Sequence, residues 1–477
     1  MKKIKDDTFI SIKKAGVVLF WLILWQIGAW IVNLPLILPD PYDVIVKLFE
    51  LIGTKEFYKD AAYTIYRCIM GMIISFVLGG GFALLSKRYS FMRSLLSPAV
   101  NFLKSTSVMA IIIYALLLLT ANQVPVFVCF MMCFPIVYIN ILSGLDNVKK
   151  EYLEMAQVYE IERRDIMRFI FLPSIAPEIK ASLVIIAGLS WKSVVAAEVL
   201  SVPTHSMGYN LLNAKVYFET DELFSWIIAI VLFSYFFEKL VVRLISFLDE
   251  KSYGGTKVFK KEVFKNVETD KKDCAYTFFK GYQEDVALSD VYKSFDGQKV
   301  LEDFSLVVHK DQVTALMGPS GKGKTTILRL IAGLEKPDMG EVKRPYEKVS
   351  YLFQEDRLLP WLNIYDNIAL VLKNTMDFEE ANMRIRKIIK DMGLEPDMNK
   401  LPSQLSGGMR RRVAMARAFL YPAEILLLDE PFKGLDEELR EKIISCCFTD
   451  YIKNRGVLLV THRPGEAKDL AARSIII

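Results

Sequence analysis

The chain has 477 residues, 52% of them hydrophobic and 24% charged, with a formal net charge of +5. That length allows two or three domains, and so apolar a composition beside ordinary charge excludes one uniform globule in favour of two physically different halves. The charge is too small to imply nucleic acid, and six cysteines with only three histidines, none in zinc-type spacing, read as reduced fillers rather than a zinc centre.

The N-terminal half opens Met1-Lys2-Lys3-Ile4-Lys5, with Lys13-Lys14 ahead of an almost wholly apolar run over residues 15–32. A signal peptide is the competing reading. The run is long, however, and Asn33-Leu34-Pro35 follows it in place of a small-residue cleavage site, so a retained span is expected. Further apolar runs cover residues 65–85, 108–120 (with an amphipathic lead-in from Leu95), 124–145, 179–200 and 223–248. A helix of ~20 apolar residues crosses a bilayer, which predicts an all-α membrane domain over residues 1–250 with about six spans. Lys and Arg concentrate at the N-terminus, at Lys87-Arg88 with Arg93, from Lys149 to Arg168 and after Arg243. By the positive-inside rule both termini face the cytoplasm.

Lys104, Lys192, Glu198 and Glu238 fall in or near these runs. An ionisable residue inside a membrane is costly and marks a cavity or a partner by default. Snorkelling is the competing explanation, above all for Glu238 near the cytoplasmic end. Lys192 and Glu198 are six apart and do not share a helix face. Trp191 and Lys192 are candidates for the wall of a solute path, although Trp191 equally suits packing.

The basic stretch after the fourth span carries Glu154-Met155-Ala156 and, later, Ile170-Phe171-Leu172-Pro173. Helix formers run from Glu151 to Tyr159, charges follow, and Pro173 and Pro177 are expected to end the segment. This pattern resembles the coupling loop of binding-protein-dependent ABC importer permeases: Glu154, the small Ala156, and Leu172-Pro173 stand in register. Glu160 occupies the position where that family has Gly, a departure that bears on the local turn. The resemblance implies a short helix that docks on an ATPase. Ser190-Trp191-Lys192-Ser193, continuing to Glu198-Val199, is similar to permeases of the nitrate/sulfonate/taurine group.

From Asp249 the apolar pattern gives way to Gly254-Gly255 and a Lys-rich tract, which reads as a charged linker over residues 251–285. Alternating strand-like and helix-like runs then predict an α/β domain over 286–477, with a nucleotide at the carboxyl ends of its strands. Its centre is Gly318-Pro319-Ser320-Gly321-Lys322-Gly323-Lys324-Thr325-Thr326, between the apolar Val313-Thr314-Ala315-Leu316-Met317 and the helical Ile327-Leu328-Arg329-Leu330-Ile331. Strand, glycine-rich turn and helix in that order make a phosphate-binding loop: backbone N–H groups and the helix N-terminus face the phosphates. Lys324 reaches the β- and γ-phosphates, and Thr325 offers a hydroxyl to Mg²⁺.

Further motifs follow in the order found in ABC ATPases, and the roles below are those the resemblance implies. Phe295 stands where an aromatic stacks on adenine, and Gln354 where a glutamine reports the γ-phosphate and Mg²⁺. Leu405-Ser406-Gly407-Gly408-Met409 is similar to the signature, with Met where Gln is more usual. In Ile425-Leu426-Leu427-Leu428-Asp429-Glu430-Pro431, Asp429 corresponds to the Mg²⁺ carboxylate and Glu430 to the general base. Asp436 falls in the D-loop pattern and His462 at the switch histidine, followed by Arg463 rather than Asp. The chain stops soon afterwards at Ser474-Ile475-Ile476-Ile477, which suggests an unprotected edge strand.

The expected protein is therefore a multi-pass importer of the cytoplasmic membrane. An all-α permease of the type I importer kind is followed by an α/β P-loop NTPase of ABC type. The resemblance implies ATP and Mg²⁺, a homodimer, and an extracytoplasmic solute-binding protein that delivers a small solute; nucleic acid is not expected. Organic sulfonates, nitrate-like anions and thiamine-type pyrimidine precursors remain open as cargo. An exporter and a membrane-anchored regulatory ATPase are the alternatives.

Overall fold

A computed structural model describes residues 2–253 and 285–477 apart from Asp311, Ser320 and Ala471. Ser320 and nearly all of the predicted linker thus lie outside the described residues. The chain divides into two compact units, Met1–Asn147 with Ser174–Ser252, and Val148–Pro173 with Tyr253–Ile477.

The first unit is helical: α1 (Lys2–Val32), α2 (Pro41–Ile52), α3 (Lys55–Arg88), α4 (Ser90–Ser105), α5 (Val108–Leu118) and α6 (Val124–Asp146). After the basic loop, whose helices are α7 (Lys150–Val158) and α8 (Arg163–Asp165), come α9 (Leu172–Ser201), α10 (Met207–Val216) and α11 (Thr220–Tyr253). Each predicted apolar run falls in a helix. Among the described residues, three helices are long and apolar enough to cross a membrane by themselves: Lys55–Arg88, Val124–Asp146 and Arg163–Ser201. The third run differs from a straight span. α4 and α5 meet at 108°, because Thr106 leaves the helix as an extended residue between two hydroxyl neighbours. The prolines also differ from expectation. Pro173 and Pro177 both lie within the continuous helical run Arg163–Ser201, where each removes a backbone N–H from the ladder, so they sit inside a helix rather than end the segment. A π-helical turn at Ile166–Phe171 leads into α9.

α3 and α6 pack closely because α3 presents Gly71, Ser75 and Gly79 at four-residue spacing. A methyl on Gly79 would stand 3.0 Å from Val137, so glycine lets the two backbones approach. The Ser75 hydroxyl donates within α3 to Gly71 O and across the seam to Phe130 O. The same unit buries an ion pair, Arg67 with Glu198 at 2.6 Å. Thr64 donates to Glu198, as does the Gly208 backbone N–H, and Arg67 also reaches the carbonyls of Thr204 and His205. Glu198 is therefore paired, with a residue that hydropathy passed over. Trp191 is buried against Phe233 and Phe237, whereas Lys192, next to it on the helix, is exposed, so the two do not line one surface.

The second unit holds two sheets. β1 (Val286–Phe295), β2 (Gln298–Val308) and β4 (Met339–Lys343) form an antiparallel sheet in the order β2-β1-β4. β3 (Val313–Met317), β5 (Val349–Leu352), β6 (Ile425–Asp429), β7 (Gly456–Val460) and β8 (Arg473–Ile476) form a parallel sheet, β5-β6-β7-β3-β8. β6 and β7 are buried along their whole length, as strands covered on both faces must be, and they read as unbroken apolar runs. β8 and β5 are the edges of this sheet, and Ile476 is exposed on β8. The helices are α12 (Lys324–Ile331), α13 (Ile364–Leu372), α14 (Phe378–Asp391), α15 (Gly407–Leu420), α16 (Glu437–Ile443), α17 (Thr449–Tyr451) and α18 (Pro464–Asp469).

Candidate active site

Parallel strands place their following loops on one edge of the sheet, and ligands bind there. The phosphate loop follows β3, Gln354 follows β5, Glu430 follows β6 and His462 follows β7. Four motifs far apart in sequence therefore converge.

Gly318, Gly321 and Gly323 all have positive φ, at 154°, 85° and 80°. Gly318 has a second reason to lack a side chain: a methyl there would lie 2.6 Å from the carbonyl oxygen of Ile477. Lys324 folds back to donate to Gly318 O at 2.8 Å and Pro319 O at 2.7 Å, so its ammonium is held at the loop's mouth. Burial lowers its pKa, and Glu430 and Asp429 oppose that. Thr325 donates its hydroxyl to Asp429 Oδ2 at 2.9 Å. Burial raises the Asp429 pKa against this bond. A hydroxyl and a carboxylate together are the hard oxygen donors that Mg²⁺ prefers, so this pair fits that ion.

Glu430 lies one residue beyond β6 with φ +48°, a strained conformation for a residue with a side chain. Its Oε1 is 3.1 Å from His462 Nε2 and its Oε2 is 3.3 Å from Lys433 Nζ. Partial burial raises its pKa, but Lys433, the Gln354 side chain and His462 together leave it below the ordinary value. The carboxylate is thus ionised at neutral pH, as a proton acceptor must be. The structure brings together Lys324, Thr325, Gln354, Asp429, Glu430 and His462.

Other expected positions stand nearby in sequence but have different work in this structure. Ser406 caps α15, accepting from the Met409 N–H, and Asp436 caps α16, accepting from the Leu439 N–H. Gly407 faces open space, whereas Gly408 abuts the Gly434 carbonyl. Phe295, 40% exposed under the Lys293 ammonium, is free of the core and has a face to offer. Lys322 and Pro319 are exposed, and Thr326 is half-buried.

The basic loop Val148–Pro173 packs into this same unit. Met155, Ala156, Val158, Tyr159, Phe169 and Ile170 are buried in its core. Glu154 takes Arg329 in a two-pronged pair at 2.8 and 2.9 Å and Arg357 at 2.9 Å. These bonds, led by Arg329, hold its pKa down to about 2 against the effect of burial. The Tyr159 hydroxyl donates to Tyr351 O, the Trp361 indole N–H donates to Phe169 O, and Lys373 pairs with Asp165. Leu172 is half exposed. Glu160 resolves the departure noted above. It has φ +49°, and the Glu160 and Ile161 N–H groups donate to Gln157 O and Ala156 O. This is the helix-ending turn that glycine normally serves, made here by glutamate.

Two family models match the chain in tandem. "Binding-protein-dependent transport system inner membrane component" covers residues 71–251 and "ABC transporter" covers residues 301–433. The aliphatic sulfonates import ATP-binding protein SsuB 2 of Pseudomonas syringae pv. tomato is 39% identical over 186 residues, which is 39% of this chain and 78% of the relative. The thiamine import ATP-binding protein ThiQ of Vibrio parahaemolyticus is likewise 39% identical, over 39% of this chain and 84% of the relative. The chain belongs to the ABC transporters. A solved ATP-binding cassette, titled as the dimeric post-hydrolysis state of MJ0796 bound to ADP and Pi, is 31% identical over 40% of this chain and 94% of its own, with a TM-score of 0.38.

This ABC transporter joins a membrane permease and an ATP-hydrolysing cassette in one importer polypeptide. Sequence reasoning missed Arg329, Arg357 and Tyr159, the cassette-side and loop-side grips of the docking. Arg329 had a visible signal, a lone charge in the apolar run Ile327-Leu328-Arg329-Leu330-Ile331. Arg357 and Tyr159 had none.

Proposed function

We propose that this transporter works as a symmetric homodimer that imports a small solute delivered by an extracytoplasmic binding protein, with both termini in the cytoplasm. Each chain carries one phosphate loop and one Ser406-Gly407-Gly408 helix start, and opposing copies would pair them into two ATP sites. Phe295 stacks on the base, and the loop from Gly318 to Thr326 cradles the phosphates. Glu430 accepts a proton from the attacking water, oriented by His462, while Gln354 reports the γ-phosphate. Thr325, Asp429 and Gln354 would hold Mg²⁺, which neutralises charge developing on the phosphates. Relatives named for sulfonate and thiamine import support an organic ion or thiamine-type precursor as cargo.

The observation that carries this reading is the Glu154–Arg329 pair. α12 begins at the phosphate loop and its last turn grips the permease's own loop, so one rigid helix links nucleotide to permease. The test is ATP hydrolysis by the purified chain in lipid, with Glu430→Gln as control, before and after adding candidate binding proteins. Stimulation by one partner supports import and identifies the cargo through it. Hydrolysis abolished by the control yet indifferent to every partner would instead favour a regulatory ATPase.

A further inference from the structure

The second arginine of the run Arg410-Arg411-Arg412 points inward from α15 and is 3% exposed. None of the roles above uses it. Its guanidinium spends its donors on two catalytic loops. Toward the segment after β5 it donates to Phe353 O at 2.6 Å, Gln354 O at 3.3 Å and the Asp356 carboxylate at 3.4 Å. Toward the end of β6 and the segment after it, it donates to Asp429 O at 2.5 Å, Glu430 O at 2.8 Å and Pro431 O at 3.1 Å. A planar guanidinium with five N–H donors can satisfy so many carbonyls in one fixed geometry, and a point-charge ammonium cannot.

The carbonyls it holds are those of Glu430 itself and of both its neighbours, about a residue whose φ of +48° would otherwise relax. The Glu430 N–H is held separately, by Val460 O at 3.0 Å. On the other loop it holds Gln354. Arg417, six residues along the same helix, clamps the next carbonyls, Asp356 O and Arg357 O. The helix that begins at Ser406 thus carries two buried arginines that fasten it to the loops of Gln354 and Glu430.

We propose that Arg411 is a positioning residue for hydrolysis. By fixing the Glu430 and Gln354 backbones to α15, it aligns the carboxylate and makes that alignment depend on where the Ser406-Gly407-Gly408 end of the helix stands. The inference rests on Glu430 being the proton acceptor.

The test uses the full chain in lipid, with Arg411→Met and Arg411→Lys made alone and combined with Glu430→Gln. Single-turnover phosphate release, steady-state KM for ATP and thermal unfolding are followed. Arg411→Met lowers kcat about tenfold or more while KM stays within about twofold, the signature of an interaction realised in the transition state. Arg411→Lys falls between it and the parent. In the Glu430→Gln background the same substitution changes the residual rate by less than about twofold, because the residue through which Arg411 acts is already disabled. A loss that persists at full size in that background, or a KM that rises in step with a falling unfolding temperature, overturns the proposal and leaves Arg411 as scaffolding. If Arg411→Met does not fold, Arg411→Lys carries the same cycle. Glu430→Gln alone retaining full turnover would overturn the base assignment itself, an outcome distinct from a failure of Arg411.

Discussion

Replacing Glu154 by Ala removes the acceptor for Arg329 and Arg357 in one step. Arg329 keeps Glu335 at 3.1 Å, but Arg357 is left over the Phe353 ring with its Nε already unpartnered. A carboxylate held at about 2 against an ordinary 4.5 gains from folding, at about 1.4 kcal/mol per pH unit, about 3.5 kcal/mol here. The exposed Lys150 side of the carboxylate is open to solvent, and screening there leaves about 2 kcal/mol. That corresponds to about a 30-fold rise in the local opening equilibrium of α7. Amide hydrogen exchange over α7 should accelerate by that factor, while α13 and α14 exchange as before. In the parent chain the sign with pH is fixed: a depressed carboxylate pKa gives stability that is complete above about 4.5 and is lost as pH falls from there toward about 2. Acid should therefore release α7 in the parent and not further in the variant. Exchange over α7 altered by less than about threefold would refute the ion pair as what holds the loop.

Three other substitutions follow from particular geometry. Glu160→Gly puts glycine where φ is +49°, which relieves left-handed strain of about 1 kcal/mol; the unfolding temperature should rise by a few degrees, and a fall would count against the helix-ending turn. Gly318→Ala drives a methyl to 2.6 Å from the Ile477 carbonyl at a φ of +154°, so nucleotide affinity should drop about tenfold or more; equilibrium binding of a fluorescent ATP analogue reads this directly, and unchanged affinity would contradict the loop geometry. Arg67→Met strands a buried Glu198 at a cost of about 3–5 kcal/mol, and adding Glu198→Met should recover much of it, measured as the yield of folded protein in detergent; a double variant no better than the single would deny that the two charges answer each other.

Legibility in the sequence tracked distance along the chain. The phosphate loop, the strand ending Asp429-Glu430 and the apolar runs are each local, and a local pattern states its own physics. The arginines are not local. Arg329 meets Glu154 across 175 positions, Arg357 meets it across 203, and Arg67 meets Glu198 across 131. Nothing beside an arginine names the carboxylate it will find. What the sequence does offer is cost: a charge inside an apolar run, as in Ile65-Tyr66-Arg67-Cys68-Ile69 or Ile327-Leu328-Arg329-Leu330, must be paired if it is buried. That rule locates the arginine without its partner.

Hydropathy draws a boundary near residue 250, where the apolar runs end, and so assigns the loop Val148–Pro173 to the membrane helices that flank it. Its contacts assign it to the cassette. The reason is visible in α7, which is nine residues long and cannot bury its apolar face alone. Met155, Ala156, Val158 and Tyr159 need a partner surface, and the cassette core supplies it. The Tyr159 hydroxyl goes with them, donating to Tyr351 O on the strand that leads into Gln354, and its ring lies edge-on to Tyr421 at 5.0 Å. A loop anchored by buried apolar side chains and by ion pairs of low solvent exposure moves with whatever it is anchored to. Displacing α12 or the Gln354 segment must then either carry α7 along or break the Glu154 bonds.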